Sequence, residues 1–162
     1  IEQNKYPVAI RIPRNGVHHV NGSVDSDYSE LNKNLITRKG GNIAVFALGD
    51  FYQLGEELCD HIEKEIGIAP TLVNPRYITG LDVDLLNSLK ENHQVILTME
   101  DGVLDGGYGQ KIASFYGPST MKVMNYGLKK EFIDRFNASE ILKENGITIE
   151  NMINDLKRRI KP

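Results

Sequence analysis

The chain has 162 residues, of which 40% are apolar and 25% charged, and its formal net charge is −3. That length suffices for one domain with a proper core, and the composition is ordinary for a globular protein in water. The weakly negative charge excludes the basic footprint of a nucleic-acid-binding protein, and no apolar run approaches membrane-spanning length. We therefore expect neither nucleic acid nor a membrane as a partner.

Cysteine usage and the amino terminus bear on the compartment. The single cysteine, Cys59, excludes an internal disulfide, and no signal peptide is visible, so we expect a cytoplasmic protein. Cys59 lies near the apolar stripe of Leu54, Leu58 and Ile62, which predicts a small buried hydrophobe rather than a nucleophile. The first residue is Ile1 rather than Met, from which we expect a piece of a longer protein.

The chain begins with a predicted strand that is separated from the later elements by a linker. Residues 6–13 alternate apolar and other side chains between prolines, which predicts a half-buried strand. Residues 15–34 are rich in Asn, Gly, Ser and Asp and are predicted to be a linker. Because the strand has no local partner, we expect its sheet to belong to a neighbouring domain that lies upstream.

From Leu35 onward, predicted strands and helices alternate. This alternation predicts a three-layer α/β/α domain over residues 35–162, with a mostly parallel five-stranded sheet and an antiparallel edge strand. The edge strand, Leu35–Arg38, is expected to form a hairpin with the next strand through a turn at 39–42. Ser139 is the predicted N-cap of a carboxyl-terminal helix. The predicted strands are 35–38, 43–48, 71–73, 94–99 and 121–125, and the helices are 51–66, 82–92, 106–116 and 139 onward.

A glycine-rich bend at 105–109 follows the fourth predicted strand and opens a helix. Its backbone amides could hold an anion, but the spacing matches neither the dinucleotide nor the phosphate-loop motif. The acidic residues around the bend would also repel a phosphate. Gly106, Gly107 and Gly109 let the backbone approach another surface closely, so close packing is the favoured interpretation.

Two acidic residues, Glu100 and Asp101, precede this bend and are predicted to end the strand. Adjacent strand residues point in opposite directions, so a shared role in acid–base catalysis is not favoured. An interface or helix-cap role is expected instead. No catalytic residue and no metal site is predicted in this chain, and the candidates for a domain or dimer interface are Glu100, Asp101, Gly106, Gly107 and Gly109.

Arg14 follows Pro13 where the first predicted strand ends. The proline restrains the backbone, which helps aim a guanidinium group at a phosphate or carboxylate. From these residues alone, a solvated arginine is favoured over a binding residue.

Seven segments of the chain carry a resemblance to a known family: residues 9–14, 74–78, 80–82, 98–102, 106–109, 125–128 and 131–133. Together they resemble the C-terminal part of the 1-deoxy-D-xylulose-5-phosphate synthase family. The domain from Ile43 onward resembles more generally the transketolase C-terminal domain, which transketolases and 2-oxo acid dehydrogenase β subunits share. The segment from Gly127 to Ile133 favours the synthase.

The resemblance implies a role for this chain within a larger enzyme. The family condenses pyruvate with glyceraldehyde 3-phosphate, using thiamine diphosphate and Mg²⁺ in a homodimer, and its product feeds isoprenoid, thiamine and pyridoxal synthesis. The family holds its cofactor on its first two domains, and its metal motif, Gly-Asp-Gly followed by Asn, does not occur here. The resemblance therefore implies that this chain binds no cofactor and is inactive alone, with its partners being the upstream domains and a second copy of the enzyme.

The resemblance also implies a domain and a binding role for the amino-terminal residues. Residues 1–14 correspond to the terminal strand of the family's middle, pyrimidine-binding domain, and Arg14 matches the arginine that binds the substrate phosphate. Asn15 stands where the family has glycine, which leaves open a divergent enzyme with another acceptor.

Three alternatives remain at this point. The chain could belong to another transketolase-like or 2-oxo acid dehydrogenase β-type enzyme. It could instead be a stand-alone interaction module that docks through the surface from Glu100 to Gly109, or a small anion-binding regulatory domain.

Overall fold

The computed structural model describes residues 7–10, 12, 27–134 and 137–160. Strands and helices alternate through this part of the chain, as predicted, and a short 3₁₀ helix at Gly49–Phe51 precedes the first α-helix. The elements are β1 (Leu35–Arg38), β2 (Asn42–Ala47), α1 (Tyr52–Ile66), β3 (Thr71–Asn74), α2 (Val83–Leu89), β4 (His93–Val103), α3 (Tyr108–Tyr116), β5 (Lys122–Leu128), α4 (Ala138–Glu144) and α5 (Ile149–Arg159).

The five strands form one sheet in the order β1-β3-β2-β4-β5. Strands β3, β2, β4 and β5 are parallel, and β1 pairs antiparallel with β3 at one edge. The central strands carry near-continuous apolar runs, as parallel strands covered on both faces do. The predicted sheet is therefore confirmed.

Helices cover both faces of this sheet. Along the central strands, Val45 and Leu97 belong to the core that contains α1 and α5, whereas Phe46 and Ile96 belong to the core that contains α2 and α3. Because strand side chains alternate between faces, each buried strand serves both cores. The predicted three-layer α/β/α architecture is confirmed.

Cys59 lies on α1 with no exposed surface, as predicted for a small core residue. Burial raises the pKa of its thiol to about 12, so the thiolate required of a nucleophile is absent near neutral pH. None of the helices within the described ranges is long and apolar enough to cross a membrane.

The predicted hairpin between the first two strands of the domain is wrong. Strand β1 pairs with β3, because both edges of β2 are already occupied by β3 and β4. The connection from β1 to β2 passes the amino end of β3, where the Gly41 amide donates to the Ala69 carbonyl (3.0 Å) and the Gly40 amide donates to Thr71 Oγ1 (3.1 Å). The fully buried β2 suits a central position, and the half-exposed β1 suits an edge.

The first predicted strand is expected to pair in a sheet of an upstream domain. Pro7–Ile10 and Ile12, its described part, lie in no strand here, and their apolar side chains are exposed. A strand needs a hydrogen-bonding partner, so the assignment of this segment to an upstream sheet stays a prediction.

The carboxyl-terminal helix is two helices. It breaks at Gly146, whose φ of 72° is left-handed, and Thr148 then caps α5 by accepting from the Asn151 amide (3.3 Å). The N-cap of α4 is Asn137, which accepts from the Ser139 amide (3.2 Å), so the prediction of Ser139 as the cap is wrong.

His93 begins β4 and is buried, with Nε2 2.9 Å from Thr71 Oγ1. Burial lowers the pKa of its imidazole below the ordinary value of 6.5. The unfolded chain therefore takes up a proton at His93 at a higher pH than the folded chain does. The free energy of unfolding keeps this contribution above about pH 7 and loses it as the pH falls through 6.5 toward the folded-state pKa.

We predict that His93→Gln flattens the fall in unfolding free energy between about pH 7 and pH 5, by up to about 1.4 kcal/mol per pH unit. Urea unfolding at several pH values measures this slope. Gln94→Asn, at the exposed neighbouring position of β4, changes no titratable group, serves as the matched control and should keep the wild-type slope. Equal slopes for wild type and His93→Gln would contradict the prediction.

Candidate functional site

The candidate interface residues lie where β4 leaves the sheet. The strand continues to Val103, so Glu100 and Asp101 lie within it rather than end it, contrary to the prediction. Met99 pairs with Tyr126 and Val103 with Leu128, which leaves two extra residues on β4. Such a bulge bends a strand and redirects its side chains near the end of a sheet.

Glu100 is the central residue of this region, and its side chain is only 5% exposed. Its Oε2 accepts from the Tyr108 amide and its Oε1 from the Gly109 amide, each at 3.0 Å. These two amides belong to the first turn of α3, which has no partner for them within the helix. A carboxylate there also interacts favourably with the positive end of the helix dipole. Of the two predicted roles for Glu100, the helix cap is therefore observed.

The glycines of the bend make room for this carboxylate. A Cβ on Gly107 would lie 2.6 Å from Glu100 Oε1 and 2.7 Å from Oε2, which no real side chain tolerates. Gly106 has a φ of 76°, a left-handed conformation that favours glycine. The predicted close packing is confirmed for Gly107, and its partner is a side chain of the same domain.

Gly109 packs in the same way against a polar pair under α3. Thr98 Oγ1 donates to Asn125 Oδ1 at 2.8 Å, and a Cβ on Gly109 would overlap both side chains. Thr98 and Asn125 join β4 to β5 directly below the helix. The sequence analysis did not single out this pair, because a contact between residues 27 positions apart has no local pattern.

The amides at the start of α3 already have hydrogen-bond partners, which argues against the alternative of an anion-binding domain. The Tyr108 and Gly109 amides are bonded to a resident carboxylate, which also places negative charge where an anion would sit. Burial raises the pKa of the Tyr108 hydroxyl to about 12, so this group stays neutral near pH 7. The start of α3 is therefore built as an internal contact.

Residues 27–34, which we call the strap, lie against the domain and reach the same helix. Asn34 Nδ2 donates to the Tyr108 hydroxyl (3.2 Å), and the Asn34 amide donates to Asp82 Oδ2 (3.0 Å). Asp82 is buried and also caps α2 by accepting from the Leu85 amide (3.2 Å). A helix start at Asp82 was predicted from the sequence, whereas its second role in holding the strap depends on a contact with Asn34 that no local pattern indicates.

The outer surface of the bend is available for contact. Gly106 is exposed and Asp101 is half-buried. Beside them lies an open groove of about 580 Å³, walled in part by Leu81, Gly107 and Phe115. An open groove of this kind suits contact with another surface better than the enclosure of a reacting molecule.

No metal ligand set lies among the described residues. Within residues 7–10, 12, 27–134 and 137–160, no group of three or more His, Cys, Asp and Glu side chains could hold a metal. Arg14, the candidate substrate ligand, lies outside the described residues. The substrate-binding role of Arg14 therefore stays a prediction.

We predict that Gly107→Ala destabilises the protein by about 1–3 kcal/mol, because the new Cβ displaces the Glu100 carboxylate from two buried amides. In a Glu100→Ala background the carboxylate is absent and the new Cβ meets no clash. Gly107→Ala should then lower the free energy of unfolding by about 0.5 kcal/mol or less. Chemical unfolding of the four proteins in this cycle measures the coupling.

The matched control for this cycle is Gly117→Ala at the end of α3. A Cβ there would lie 3.4 Å from its nearest neighbour, so the change should be within about 0.5 kcal/mol. Additive effects of Glu100→Ala and Gly107→Ala would show that the two residues do not act through one contact.

Comparison with known proteins places this geometry in a family. A family model described as the transketolase C-terminal domain matches residues 32–152. The 1-deoxy-D-xylulose-5-phosphate synthase of Alkaliphilus oremlandii is 32% identical over 157 residues, which are 94% of this chain and 24% of that protein. The enzyme of the same name from Dehalococcoides mccartyi is 31% identical over 145 residues, 87% of this chain and 22% of that protein. The chain thus spans about a quarter of the length of these curated relatives.

Solved structures share the fold. A split-gene transketolase, described as an inactive beta4 tetramer, matches 80% of this chain and 43% of its own with a TM-score of 0.71 and 21% identity. The transketolase of Campylobacter jejuni matches 86% of this chain and 20% of its own with a TM-score of 0.55 and 18% identity. The family model covers more than half of the chain, and the likeness to these structures shows a shared fold. This chain is a member of the transketolase C-terminal domain family.

Proposed function

We propose that the chain is the C-terminal domain of a thiamine-diphosphate-dependent 1-deoxy-D-xylulose-5-phosphate synthase. The observation that carries this proposal is the similarity to two such enzymes, at 32% and 31% identity over 94% and 87% of the chain. The complete protein would condense pyruvate with glyceraldehyde 3-phosphate in the cytoplasm, and its product would serve isoprenoid and thiamine synthesis.

Within that enzyme, the domain's own contribution is structural. The buried carboxylate of Glu100 is used to cap α3, and Thr98 and Asn125 are bonded to each other. The polar groups at this edge of the sheet thus satisfy one another, whereas a catalytic site directs such groups at a substrate. This use of the polar groups within the domain favours a structural role over a catalytic one.

The start of α3 does not fit the cofactor's diphosphate group. A diphosphate group needs free amides or basic side chains, but the amides at the start of α3 already bond to Glu100. The described side chains also lack a cluster of carboxylates suited to Mg²⁺. In our proposal, thiamine diphosphate and Mg²⁺ bind to the upstream part of the protein.

The outer face of the bend is proposed as a contact with another domain or with the second subunit of a homodimer. Asp101 and Gly106 lie at or near the surface there, beside the open groove. Glu100, Gly107 and Gly109 act behind them by fixing the shape of the bend. The similar split-gene transketolase chain is described as inactive, which accords with a part of such an enzyme being inactive without the remainder.

We propose that Arg14 binds the phosphate of the acceptor substrate through charge-assisted hydrogen bonds. Its position in the sequence matches the family's phosphate-binding arginine, and the preceding Pro13 restrains the backbone. A guanidinium group can bond to two phosphate oxygens at once, which an ammonium group cannot do in the same geometry.

We expect the full-length protein, supplied with thiamine diphosphate and Mg²⁺, to convert pyruvate and glyceraldehyde 3-phosphate into 1-deoxy-D-xylulose 5-phosphate with release of CO₂. Product formation is measured by chromatography and mass spectrometry. The 162-residue chain alone, tested under the same conditions, should form no product. Turnover of a ketose phosphate donor in place of pyruvate would assign a transketolase instead.

In the full-length enzyme, Arg14→Ala should raise the KM for glyceraldehyde 3-phosphate by about 10- to 100-fold, the range for lost hydrogen bonds to a charged group. The KM for pyruvate should stay unchanged. Arg14→Lys keeps the positive charge but cannot bond to two phosphate oxygens in the same geometry. Its KM for glyceraldehyde 3-phosphate should therefore lie between those of the wild type and Arg14→Ala. Arg158→Ala, at an exposed arginine on α5, is the control. An unaltered KM for the phosphorylated substrate in Arg14→Ala would refute the assignment.

A further inference from the structure

Exposed large apolar side chains are unevenly distributed over the described residues. One group lies upstream of the domain. A second lies on the strap, the start of β1, the loop after β3 and the start of α2, and a third lies at the end of β4 and after β5. The first group is Val8, Ile10 and Ile12, the second is Tyr28, Leu31, Leu35, Ile78 and Val83, and the third is Val103, Phe132 and Ile133.

The second group forms one region, because hydrogen bonds connect the segments that carry it. The Tyr77 hydroxyl donates to the Tyr28 carbonyl at 2.8 Å, which places the residue before Ile78 against the strap. The Lys33 ammonium donates to Asp84 Oδ2 at 2.9 Å, next to Val83. We call this region the strap surface.

Several polar groups of the strap surface are already bonded within the domain. Lys33 pairs with Asp84 and lies 3.6 Å from Asp82, and the Arg76 guanidinium lies 5.3 Å from the centre of the Tyr28 ring. Apolar side chains lie exposed among them: Leu31 is 56% exposed, Ile78 57% and Val83 49%. An apolar patch with a polar rim is typical of a protein–protein contact rather than of a site for a charged ligand.

We propose that the strap surface is the face on which the upstream part of the same polypeptide packs. This inference rests on the proposed function, since it requires the longer protein. The strap is the segment through which the domain is joined to everything upstream, and about three quarters of the curated relatives' length lies outside the matched region. The exposed apolar group is thus concentrated where that polypeptide meets the domain.

The upstream segment itself offers a matching surface. Val8, Ile10 and Ile12 occupy every second position and are 57%, 70% and 73% exposed. In the strand predicted for this segment, these alternate residues would share one apolar face. A covalent connection makes the contact intramolecular, with an effective concentration in the millimolar range, so a modest apolar area suffices.

Thiol labelling tests this proposal, because Cys59 is fully buried with a raised thiol pKa and reacts slowly in the folded protein. Ile78→Cys and Val83→Cys place a thiol on the strap surface, and Glu57→Cys places one on an exposed position of α1 as the matched control. Each variant of the full-length protein is treated with a maleimide. Peptide mass spectrometry follows the labelled site, so cysteines elsewhere do not contribute.

We expect Ile78→Cys and Val83→Cys to react at least about tenfold more slowly than Glu57→Cys, after each rate is divided by its rate in denaturant. The protection should persist through about 100-fold dilution, since an intramolecular contact does not depend on concentration. In the 162-residue chain, both thiols should react as fast as the control.

Two outcomes would overturn the inference. Equal rates for all three variants in the full-length protein would show that nothing covers the strap surface. Protection that disappears on dilution would assign the surface to a second copy instead. The readout is independent of activity, so a full-length protein that protects both sites but uses other substrates would refute the proposed function alone.

Discussion

A single buried carboxylate organises the edge of the sheet at which the candidate site lies. Glu100 accepts from the first two amides of α3, so the end of β4 and the start of the helix are held as one unit. A buried carboxylate is costly unless hydrogen bonds compensate it, and here the helix amides and dipole do so. The need for glycine at position 107 follows from this contact, because a Cβ there would meet the Glu100 carboxylate.

The same helix start links the bend to the strap. The Tyr108 amide bonds to Glu100, while its hydroxyl accepts from Asn34 on the strap. One residue thus connects the bend, the helix and the segment through which the domain joins the rest of the polypeptide. The two proposed contact surfaces, the outer face of the bend and the strap surface, are therefore supported by one rigid centre.

The architecture could be predicted from the sequence, because strands and helices that alternate along the chain pack in few layer arrangements. The sequence was insufficient for the partner of β1, since a hairpin signal is local whereas pairing depends on which edge of the sheet is free. The break at Gly146 was missed because an isolated glycine is also tolerated inside a helical pattern.

At the candidate site, the local pattern indicated tight packing at the glycines and a helix cap at Glu100. It could not indicate Thr98 and Asn125, which meet only once β4 and β5 are paired.

The edge strand β1 has a consequence for how the domain behaves among other protein molecules. Without it, β3 would expose a row of unpaired amides and carbonyls, which can recruit strands from neighbouring molecules. Strand β1 is only four residues long, is irregular between Ile36 and Arg38, and ends at an arginine bonded to Asp60 and Glu63 on α1. A short, bent and charged edge is a poor template for intermolecular strand addition, so β1 protects the domain against aggregation.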